Sequence, residues 1–344
     1  MGVCCPILRP WDRTRDSYLD NIPCLSDPVR RSSLFMKLGL VALHLVFIGF
    51  LFVCDGEFIE KTKRDPWYMA SYLLLFSVTL LQYFVTSGSS PGYVIDAMRE
   101  VSGTDAIYRN TPTTSIQQHG SRKNGSFAIN VEGESASSGG GRRTPASSWG
   151  KLVLDLYPPG TSLRNLTCGY CHVEQPPRAK HCHDCDRCVL QFDHHCVWLG
   201  TCVGQKNHCK FWWYICEESA LCIWTLIMYI DYLTNVAKPW WKNAIIILLL
   251  VVLVISMIFV LLLLLFHSYL ILTNQSTYEL VRRKRIPYMR NIPERVHPFS
   301  RGIKRNLHNV CCGNHTLDSL PTAFELEDRA RPYTCLDMLK CRCC

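Results

Sequence analysis

The sequence is organised around one stretch that is dense in cysteine and histidine. Residues 168–211 read CGYCHVEQPPRAKHCHDCDRCVLQFDHHCVWLGTCVGQKNHCKF and hold 8 of the chain's 20 cysteines and 6 of its 12 histidines. Cys-x-x-Cys spacing relates five of these cysteines, namely Cys168, Cys171, Cys182, Cys185 and Cys188. This spacing lets a tight turn direct two thiolates at one tetrahedral zinc ion. The stretch therefore favours zinc binding over a set of inert buried cysteines.

Zinc alone does not account for residues 168–211, which are called the window from here on. Two closed zinc sites take eight ligands, whereas the window offers fourteen cysteine and histidine side chains. Asp193, His194, His195 and Cys196 follow one another in it. A thiol beside an imidazole that is next to a carboxylate has the parts of an activated nucleophile, because the imidazole can take the thiol proton. On spacing alone, an activated nucleophile and a purely structural finger both remain open.

The window resembles the cysteine-rich domain of the DHHC protein S-acyltransferases (palmitoyltransferases), with residues 193–196 as the signature itself. The resemblance implies two structural zinc sites. Their implied ligands are Cys168, Cys171, His181 and Cys188 at one site, and Cys182, Cys185, His195 and Cys202 at the other. It also implies Cys196 as the nucleophile, His194 as its base and Asp193 as the carboxylate that polarises His194. Thr201 departs from the usual Asn, and we expect tolerance there because that position supplies no ligand.

The same resemblance implies a reaction and its partners. Long-chain acyl-CoA is the implied co-substrate, and cysteines of substrate proteins at the cytosolic membrane face would receive the acyl group through Cys196. Residues 276–279, Ser-Thr-Tyr-Glu, are similar to a short Thr-Thr-x-Glu motif of the family, which implies that Thr277 reaches Asp193. A looser likeness further on implies that Asn306 is a structural anchor.

Four apolar runs are long enough to cross a membrane as helices: 34–54, 67–87, 212–233 and 244–272. The run 212–233 differs from the other three in carrying acidic residues, namely Glu217, Glu218 and Asp231. The sequence therefore predicts an α-helical multi-pass membrane protein with four transmembrane helices. The resemblance adds a small cytosolic two-zinc domain between the second and third helices.

Basic residues predict how the chain crosses the membrane. Segments 1–37, 88–210 and 273–344 hold 6, 13 and 13 lysines and arginines, whereas the connections 55–66 and 234–243 hold 3 and 2. Because positive loops stay inside, both termini and the cysteine-rich window are expected in the cytosol. The net charge of +9 then reflects topology and contact with membrane lipids, so it calls for no nucleic acid. In a reducing cytosol, dense cysteine indicates metal or catalysis rather than disulfides.

We expect six consecutive segments. They are a cytosolic N-terminal segment (1–33), two transmembrane helices (34–87), a cytosolic linker (88–150), the zinc domain (151–211), two further transmembrane helices (212–272) and a cytosolic tail (273–344). The linker is predicted to be largely disordered from about residue 102, because its SASSGGG and RRTPASS stretches are small, polar and without apolar periodicity. Cysteines near the termini are either S-acylation sites or plain free thiols: Cys4, Cys5, Cys341, Cys343 and Cys344.

Two other functions fit parts of the pattern. A membrane-tethered zinc module of RING-like type also uses eight cysteine and histidine ligands, but it leaves Cys196 and His194 without a role. Metal transport is weaker, because the acidic residues of the run 212–233 lie near its ends rather than at mid-membrane. The chain also resembles plant protein S-acyltransferases of the endomembrane system, which implies a Golgi or vacuolar membrane.

Overall fold

The computed structural model describes residues 28–54, 60, 62–110, 148–235, 239–312 and 316–330. Its helices in chain order are α1 (Pro28–Cys54), α2 (Pro66–Gly88), α3 (Val94–Asn110), α4 (Ser148–Asp155), α5 (Leu163–Leu166), α6 (His208–Asn235), α7 (Trp240–Thr273), α8 (Thr277–Arg282), α9 (Ile303–Cys311) and α10 (Ala323–Ala330). Its strands are β1 (Lys180–Cys182), β2 (Arg187–Val189), β3 (His194–Cys196) and β4 (Thr201–Val203). A short 3-10 turn, Arg283–Arg285, continues α8.

Three helices of the described part of the chain are long and apolar enough to cross a membrane: Ser32–Val53, Pro66–Gly88 and Trp240–Thr273. Along α7, Leu248, Ile255 and Leu262 repeat at every seventh residue and are 64%, 64% and 61% exposed. Such a stripe is costly in water, whereas it suits contact with lipid tails. The chain is therefore a membrane protein with three candidate membrane helices.

The fourth long helix, α6, packs against both α2 and α7. Its buried side chains include Ile215 and Tyr229, and the Tyr229 hydroxyl donates to the carbonyl oxygen of Phe47 in α1 at 2.9 Å. The predicted span 212–233 lies within this helix, but its acidic residues set it apart from the three apolar helices. A fourth crossing therefore stays a prediction.

One end of each long helix lies at the cysteine-rich window. Ser33, near the start of α1, lies so close to Gly200 that a Cβ at Gly200 would overlap its side chain. Near the C-terminal end of α2, the Ser87 hydroxyl donates to the carbonyl oxygen of Leu199 at 2.8 Å. Helix α6 starts shortly after β4, and α7 is followed by α8, which contacts the window. The four helices therefore alternate in direction, with the window beneath one end of the bundle.

Two antiparallel hairpins form the frame of the window. In the β1–β2 hairpin His181 lies opposite Cys188, and in the β3–β4 hairpin His195 lies opposite Cys202. Residues directly opposite each other in an antiparallel pair hold their side chains on the same face and close together. Each hairpin thus supplies one adjacent histidine and cysteine.

The hairpins meet the exit of α2 at a close backbone contact. The Leu190 N–H donates to the carbonyl oxygen of Gly92 at 2.8 Å, and the Lys206 N–H donates to that of Pro91 at 3.1 Å. A Cβ at Gly204 would lie 2.7 Å from a Val189 methyl group, closer than carbon atoms approach. Glycine is therefore required at this contact.

The predicted linker differs from the structure at its edges. Helix α3 continues from Val94 to Asn110, past the predicted start of disorder at about residue 102, and α4 begins at Ser148. The reason is packing, because Val94, Trp149 and Val153 are almost fully buried in one apolar cluster with residues of the window. Residues 111–147 and the terminal cysteines lie outside the described residues.

Candidate active site and metal centres

The first metal cluster gathers four of the ligands that the resemblance implies: Cys168, Cys171, His181 and Cys188, whose ligand atoms lie within 4.8 Å of one another. His181 Nδ1 lies 3.2 Å from Cys171 Sγ and 4.0 Å from Cys188 Sγ. A tight turn brings Cys171 beside Cys168, since the His172 N–H donates to the Cys168 carbonyl oxygen at 3.0 Å. The cluster therefore joins a turn to the first hairpin.

The second cluster gathers the other four implied ligands: Cys182, Cys185, His195 and Cys202. His195 Nδ1 lies 3.6, 3.4 and 3.6 Å from the sulfur atoms of Cys182, Cys185 and Cys202. The sulfur atoms of Cys185 and Cys202 are 3.4 Å apart. This cluster joins the first hairpin to the second.

The two clusters fit zinc. Bond lengths of about 2.3 Å to sulfur and about 2.0 Å to nitrogen separate neighbouring ligands of a tetrahedral zinc by roughly 3.5 to 3.8 Å. The nitrogen-to-sulfur distances of 3.4 to 3.6 Å in the second cluster match that separation. One imidazole nitrogen near three sulfur atoms is difficult to explain by a single N–H, whereas a shared ion explains it. Each cluster could thus hold one metal ion.

Strand geometry divides the signature residues between two faces. Successive side chains of a strand point to opposite faces, so residues i and i+2 share a face. His195 faces the sulfur atoms of the second cluster, while His194 and Cys196 face the helices, where His194 packs 5.7 Å from the Phe211 ring. The alternation separates two chemically identical histidines. His195 lies in the second cluster, and His194 lies on the same face as the free thiol of Cys196.

Asp193 holds the imidazole of His194 in place. His194 Nδ1 lies 2.6 Å from Asp193 Oδ2, and Thr277 donates to both carboxylate oxygens, through its N–H at 2.7 Å and its hydroxyl at 2.8 Å. Because an ionised carboxylate only accepts hydrogen bonds, Nδ1 carries the proton in this contact. The other ring nitrogen, Nε2, is then left for Cys196.

Electrostatics reinforce this arrangement. Burial alone would raise the pKa of Asp193, but the hydrogen bond from His194 outweighs it and holds the pKa well below its usual value. Burial would lower the pKa of His194, yet its hydrogen bonds with Asp193 and Cys196 raise that pKa to about 9. A carboxylate that favours imidazolium also favours thiolate at a neighbouring cysteine.

Cys196 is 8% exposed and shares an apolar cluster with side chains from all four long helices. Those within the same cluster are Tyr83 of α2, Phe211, Tyr214 and Ile215 of α6, Leu40 of α1, and Leu263 and Leu264 of α7. A thiol in this position borders the membrane-helix bundle as well as the window. The surroundings suit a reaction that places an apolar chain beside the sulfur.

Two further histidines extend the buried polar group, and the sequence-based interpretation gives neither a role. His267 of α7 comes within 4.8 Å of Asp193 and His194, counted between their polar atoms. Its Nδ1 lies 3.3 Å from Nε2 of His208, the first residue of α6. A histidine inside a long apolar run is the signal that could have found His267, because polar residues in such runs are seldom placed without a partner.

Arg178 is the largest omission of the sequence-based interpretation. Its guanidinium binds both carboxylate oxygens of Glu279 at 2.7 and 2.9 Å, and it also donates to Asp318 at 2.8 Å and to the Asn274 side chain at 3.0 Å. Burial would lower the pKa of Arg178, but its two carboxylate partners raise it. The guanidinium lies 4.4 Å from the centre of the Phe299 ring. One side chain thus joins the window, the end of α7 and the tail.

Asn306 is fully buried and binds the end of α7 to the tail. Its side-chain amide donates to the carbonyl oxygen of Leu272 at 2.7 Å and accepts from the Arg301 N–H at 2.8 Å. The last carbonyl groups of a helix lack partners within the helix, so the contact with Leu272 satisfies one of them. The side chain sits where a structural anchor would act.

A second polar group lies among the long helices. His44 Nε2 of α1 is 3.0 Å from a carboxylate oxygen of Glu218 of α6, and a small cavity lies beside this pair. Apolar residues such as Phe47 and Phe76 line the rest of the cavity. Glu218 is one helical turn beyond Tyr214, which packs with Cys196, so the cavity lies deeper in the bundle than the thiol.

Known proteins place this arrangement in a family. The sequence profile of the DHHC palmitoyltransferases matches residues 162–284. Protein S-acyltransferase 10 of Arabidopsis thaliana is 82% identical over 344 residues, which is 100% of both chains. Palmitoyltransferase ZDHHC12 of Homo sapiens is 38% identical over 162 residues, 46% of this chain and 59% of that protein. Protein S-acyltransferase 8 of Arabidopsis thaliana is 32% identical over 187 residues, 52% of this chain and 44% of that protein.

The fold and the site define a membrane protein with a two-metal cysteine-rich unit and a thiol held beside a carboxylate-bound imidazole. The chain belongs to the family of DHHC protein S-acyltransferases.

Proposed function

We propose that the chain transfers a long-chain acyl group, such as palmitoyl, from acyl-CoA to cysteines of substrate proteins through an acyl-Cys196 intermediate. One observation carries this proposal. His194 and Cys196 share a face of β3, and Asp193 Oδ2 lies 2.6 Å from His194 Nδ1, which leaves Nε2 for the thiol. A thiol, a base and a group that orients the base are the parts of covalent thiol catalysis.

In the first half-reaction, the Cys196 thiol gives its proton to Nε2 of His194. The resulting thiolate attacks the carbonyl carbon of the acyl-CoA thioester, and a carbon–sulfur bond forms. The bond between that carbon and the CoA sulfur then breaks, and the CoA thiolate takes the proton back from His194. Asp193 stabilises the imidazolium while it exists, and Thr277 holds Asp193 in place.

In the second half-reaction, a cysteine of the substrate protein is the attacking thiol and Cys196 is the leaving group. The substrate thiol loses a proton to His194, its thiolate attacks the acyl-Cys196 thioester, and Cys196 leaves as a thiolate that regains the proton. One thioester replaces another in each half, so the overall energy change is small. The protein must chiefly position and deprotonate thiols.

We assign zinc to both clusters. When bound, each zinc supplies a cross-link, since three thiolates and one imidazole fill the four positions of a tetrahedral ion. His181 and Cys182 are adjacent in β1 but belong to different clusters. The first hairpin therefore connects the two clusters. The second cluster in turn ties the first hairpin to the second hairpin, which carries His194 and Cys196 against the helices.

The acyl chain is assigned to the apolar surroundings of Cys196 and to the space among the long helices. Burying a methylene group contributes about 0.8 kcal/mol, so a long chain supplies much of the binding free energy of acyl-CoA. The side chains of Leu40, Tyr83 and Leu263 support this assignment, because they come from three different helices and pack in or against the apolar cluster that contains Cys196. Cys196 then reacts at the boundary between lipid and cytosol.

We further propose that α6 is a fourth span, that the window and both termini are cytosolic, and that the protein lies in an endomembrane such as the Golgi or vacuolar membrane. The alternation of the four long helices supports the fourth span, since α6 runs between the same two levels as its neighbours. The lysine and arginine content of segments 88–210 and 273–344 supports the orientation. The six predicted segments follow from this topology. Membership of the family disfavours the RING-like alternative.

The test is acylation of the purified full-length protein in detergent. Incubation with palmitoyl-CoA should leave one hydroxylamine-labile acyl group on Cys196. Cys196→Ser should lose it while keeping metal content and unfolding temperature near wild type. Cys216→Ser is the matched control, because Cys216 is a partly buried free cysteine of α6 outside both metal clusters. Loss of metal in the Cys196→Ser variant would mean that Cys196 is a ligand and would overturn the assigned roles.

A further inference from the structure

Two thiols outside the catalytic and metal groups meet at the cytosolic end of the bundle. Cys209 lies in the first turn of α6 and Cys311 is the last residue of α9. The Cys209 thiol donates to the Cys311 sulfur at 2.9 Å, although the two residues are 102 positions apart in sequence. A disulfide has a sulfur-to-sulfur distance of about 2.05 Å, so the two atoms are within about 1 Å of bonding distance.

Other close sulfur pairs in the structure have a different explanation. The contact between Cys185 and Cys202 belongs to a cluster of four ligands. Among the residues that the structure describes, neither Cys209 nor Cys311 belongs to any group that could hold a metal ion. Their proximity therefore calls for thiol chemistry rather than a further metal site.

The two thiols differ in reactivity. Cys311 is exposed, whereas Cys209 is partly buried. Burial raises the pKa of Cys209 to about 12, and the contact with Cys311 adds to this effect. Cys209 therefore keeps its proton, and Cys311 is the thiol that a dissolved oxidant reaches first.

We infer that Cys209 and Cys311 form a reversible intramolecular disulfide when the protein meets a peroxide. The Cys311 sulfur attacks one peroxide oxygen, which gives a sulfenic acid and one water molecule. The Cys209 sulfur then attacks the Cys311 sulfur, the sulfur–oxygen bond breaks, and a second water molecule leaves with the Cys209 proton. Two thiols are oxidised to one disulfide and one peroxide is reduced to two waters. A thiol reductant reverses the step by exchange, as expected for an exposed disulfide in the cytosol.

The disulfide would join two elements that hold the site. Helix α9 carries Asn306, which binds the Leu272 carbonyl at the end of α7, and α6 begins with His208, which contacts His267. A covalent link between α6 and α9 therefore restrains the tail at the catalytic end of the bundle. Because the link closes a long loop, we expect a higher unfolding temperature for the oxidised protein.

The experiment uses the full-length, metal-loaded protein in detergent, treated with hydrogen peroxide and then blocked with a thiol-alkylating reagent. Peptide mass spectrometry should show one linked pair, Cys209 with Cys311, which is lost after treatment with dithiothreitol. The unfolding temperature should rise with the peroxide and fall again with the reductant. Zinc is measured in the same samples, because release of zinc would show that the metal-binding cysteines had been oxidised instead.

Matched variants decide the assignment. Cys209→Ser and Cys311→Ser should each abolish both the linked peptide and the rise in unfolding temperature. Cys312→Ser, which removes an exposed neighbouring thiol, should change neither. A link that persists in Cys311→Ser, a link that requires Cys312, or a wild-type protein that forms no link while its zinc stays bound would overturn the inference.

Discussion

The Thr277 hydroxyl donates to the Asp193 carboxylate at 2.8 Å, across 84 positions of sequence. The Thr277 N–H binds the other oxygen of the same carboxylate at 2.7 Å. Asp193 in turn binds His194, so the orientation of the proposed base depends on where α7 ends. This contact links the membrane helices to the thiol chemistry without touching the thiol.

Replacing Thr277 with Val should slow acylation of Cys196 by about tenfold. A hydrogen bond to a charged group is worth about 1.5 to 3 kcal/mol, and the Thr277 N–H bond survives the substitution. The measurement is the rate of acyl-enzyme formation, with zinc content expected to stay unchanged. Thr234→Val should have no effect, since the Thr234 hydroxyl is exposed and its bonds within the described residues go to carbonyl groups of its own helix. An unchanged rate in Thr277→Val would separate the hydroxyl from catalysis.

His194 and His195 should respond differently to alkali. Because His194→Ala removes the group that takes the Cys196 proton, little thiolate should form at neutral pH and acylation should be slow. Raising the pH should recover part of the lost rate, because hydroxide forms the thiolate that the imidazole no longer forms. The measurement is acylation rate against pH, with bound zinc counted in each sample.

His195→Ala is the counterpart in that experiment. Loss of a ligand should lower the zinc content and destabilise the window, so alkali should restore nothing. If His195→Ala instead kept its metal and recovered with pH while His194→Ala lost zinc, the two assigned roles would be reversed.

Removal of one cysteine from either cluster should lower bound zinc. Cys171→Ser acts on the first cluster and Cys185→Ser on the second, and both should lower the unfolding temperature, because structural zinc contributes directly to folding. Metal analysis and thermal unfolding in detergent provide the measurement. Unchanged zinc and full activity in both variants would exclude the two-site assignment.

Arg178→Met should destabilise the protein by about 3 to 5 kcal/mol, because it leaves the buried carboxylate of Glu279 without its charged partner. Arg178 and Glu279 side chains are each only 1% exposed. Arg99→Met is a suitable control, since the Arg99 pair with Asp96 is 70% and 43% exposed and is worth about 0 to 1 kcal/mol. Chemical denaturation gives the free energy of unfolding of both variants. Equal losses would show that the buried Arg178 contacts stabilise the fold no more than the exposed Arg99 pair does.

His297 should make the tail sensitive to acid. Burial lowers the pKa of His297 below its ordinary value of 6.5, and the charge of Arg283 lowers it further, while Gln275 Nε2 lies 2.7 Å from its Nδ1. A histidine with a lowered folded-state pKa contributes stability above pH 6.5 and loses it as the pH falls below that value. His297→Gln should therefore show a smaller loss of unfolding temperature than wild type between about pH 7 and 5. If wild type and His297→Gln lost the same unfolding temperature over this pH range, His297 would not be the origin of the acid sensitivity.

The sequence predicts the parts of the site that depend on local spacing. Cys-x-x-Cys pairs predict metal clusters because two thiolates separated by one turn face one ion, and long apolar runs predict membrane helices because the bilayer sets their length. The resemblance adds the division of ligands between the two sites. These features need no knowledge of how distant segments pack.

Contacts between distant segments could not be predicted in the same way. Arg178 looks like an ordinary basic residue until Glu279 and Asp318 are folded against it, and His267 gains its surroundings only when α6 lies beside α7. The sequence also suggests disorder from about residue 102, whereas helix α3 continues to Asn110 and Val94 of α3 packs in one apolar cluster with Trp149 of α4. Burial and partners of this kind are properties of the fold and not of a motif.

The interleaved ligand pattern has a consequence for synthesis. All eight residues of the two candidate metal clusters lie between Cys168 and Cys202, ahead of α6, so the ribosome has made every one of them before the last two long helices emerge. Thr277 comes only after α7. We expect a newborn chain to load its metals first and to orient Asp193 last, which keeps the thiol of an unfinished protein from reacting before its final helix is in the membrane.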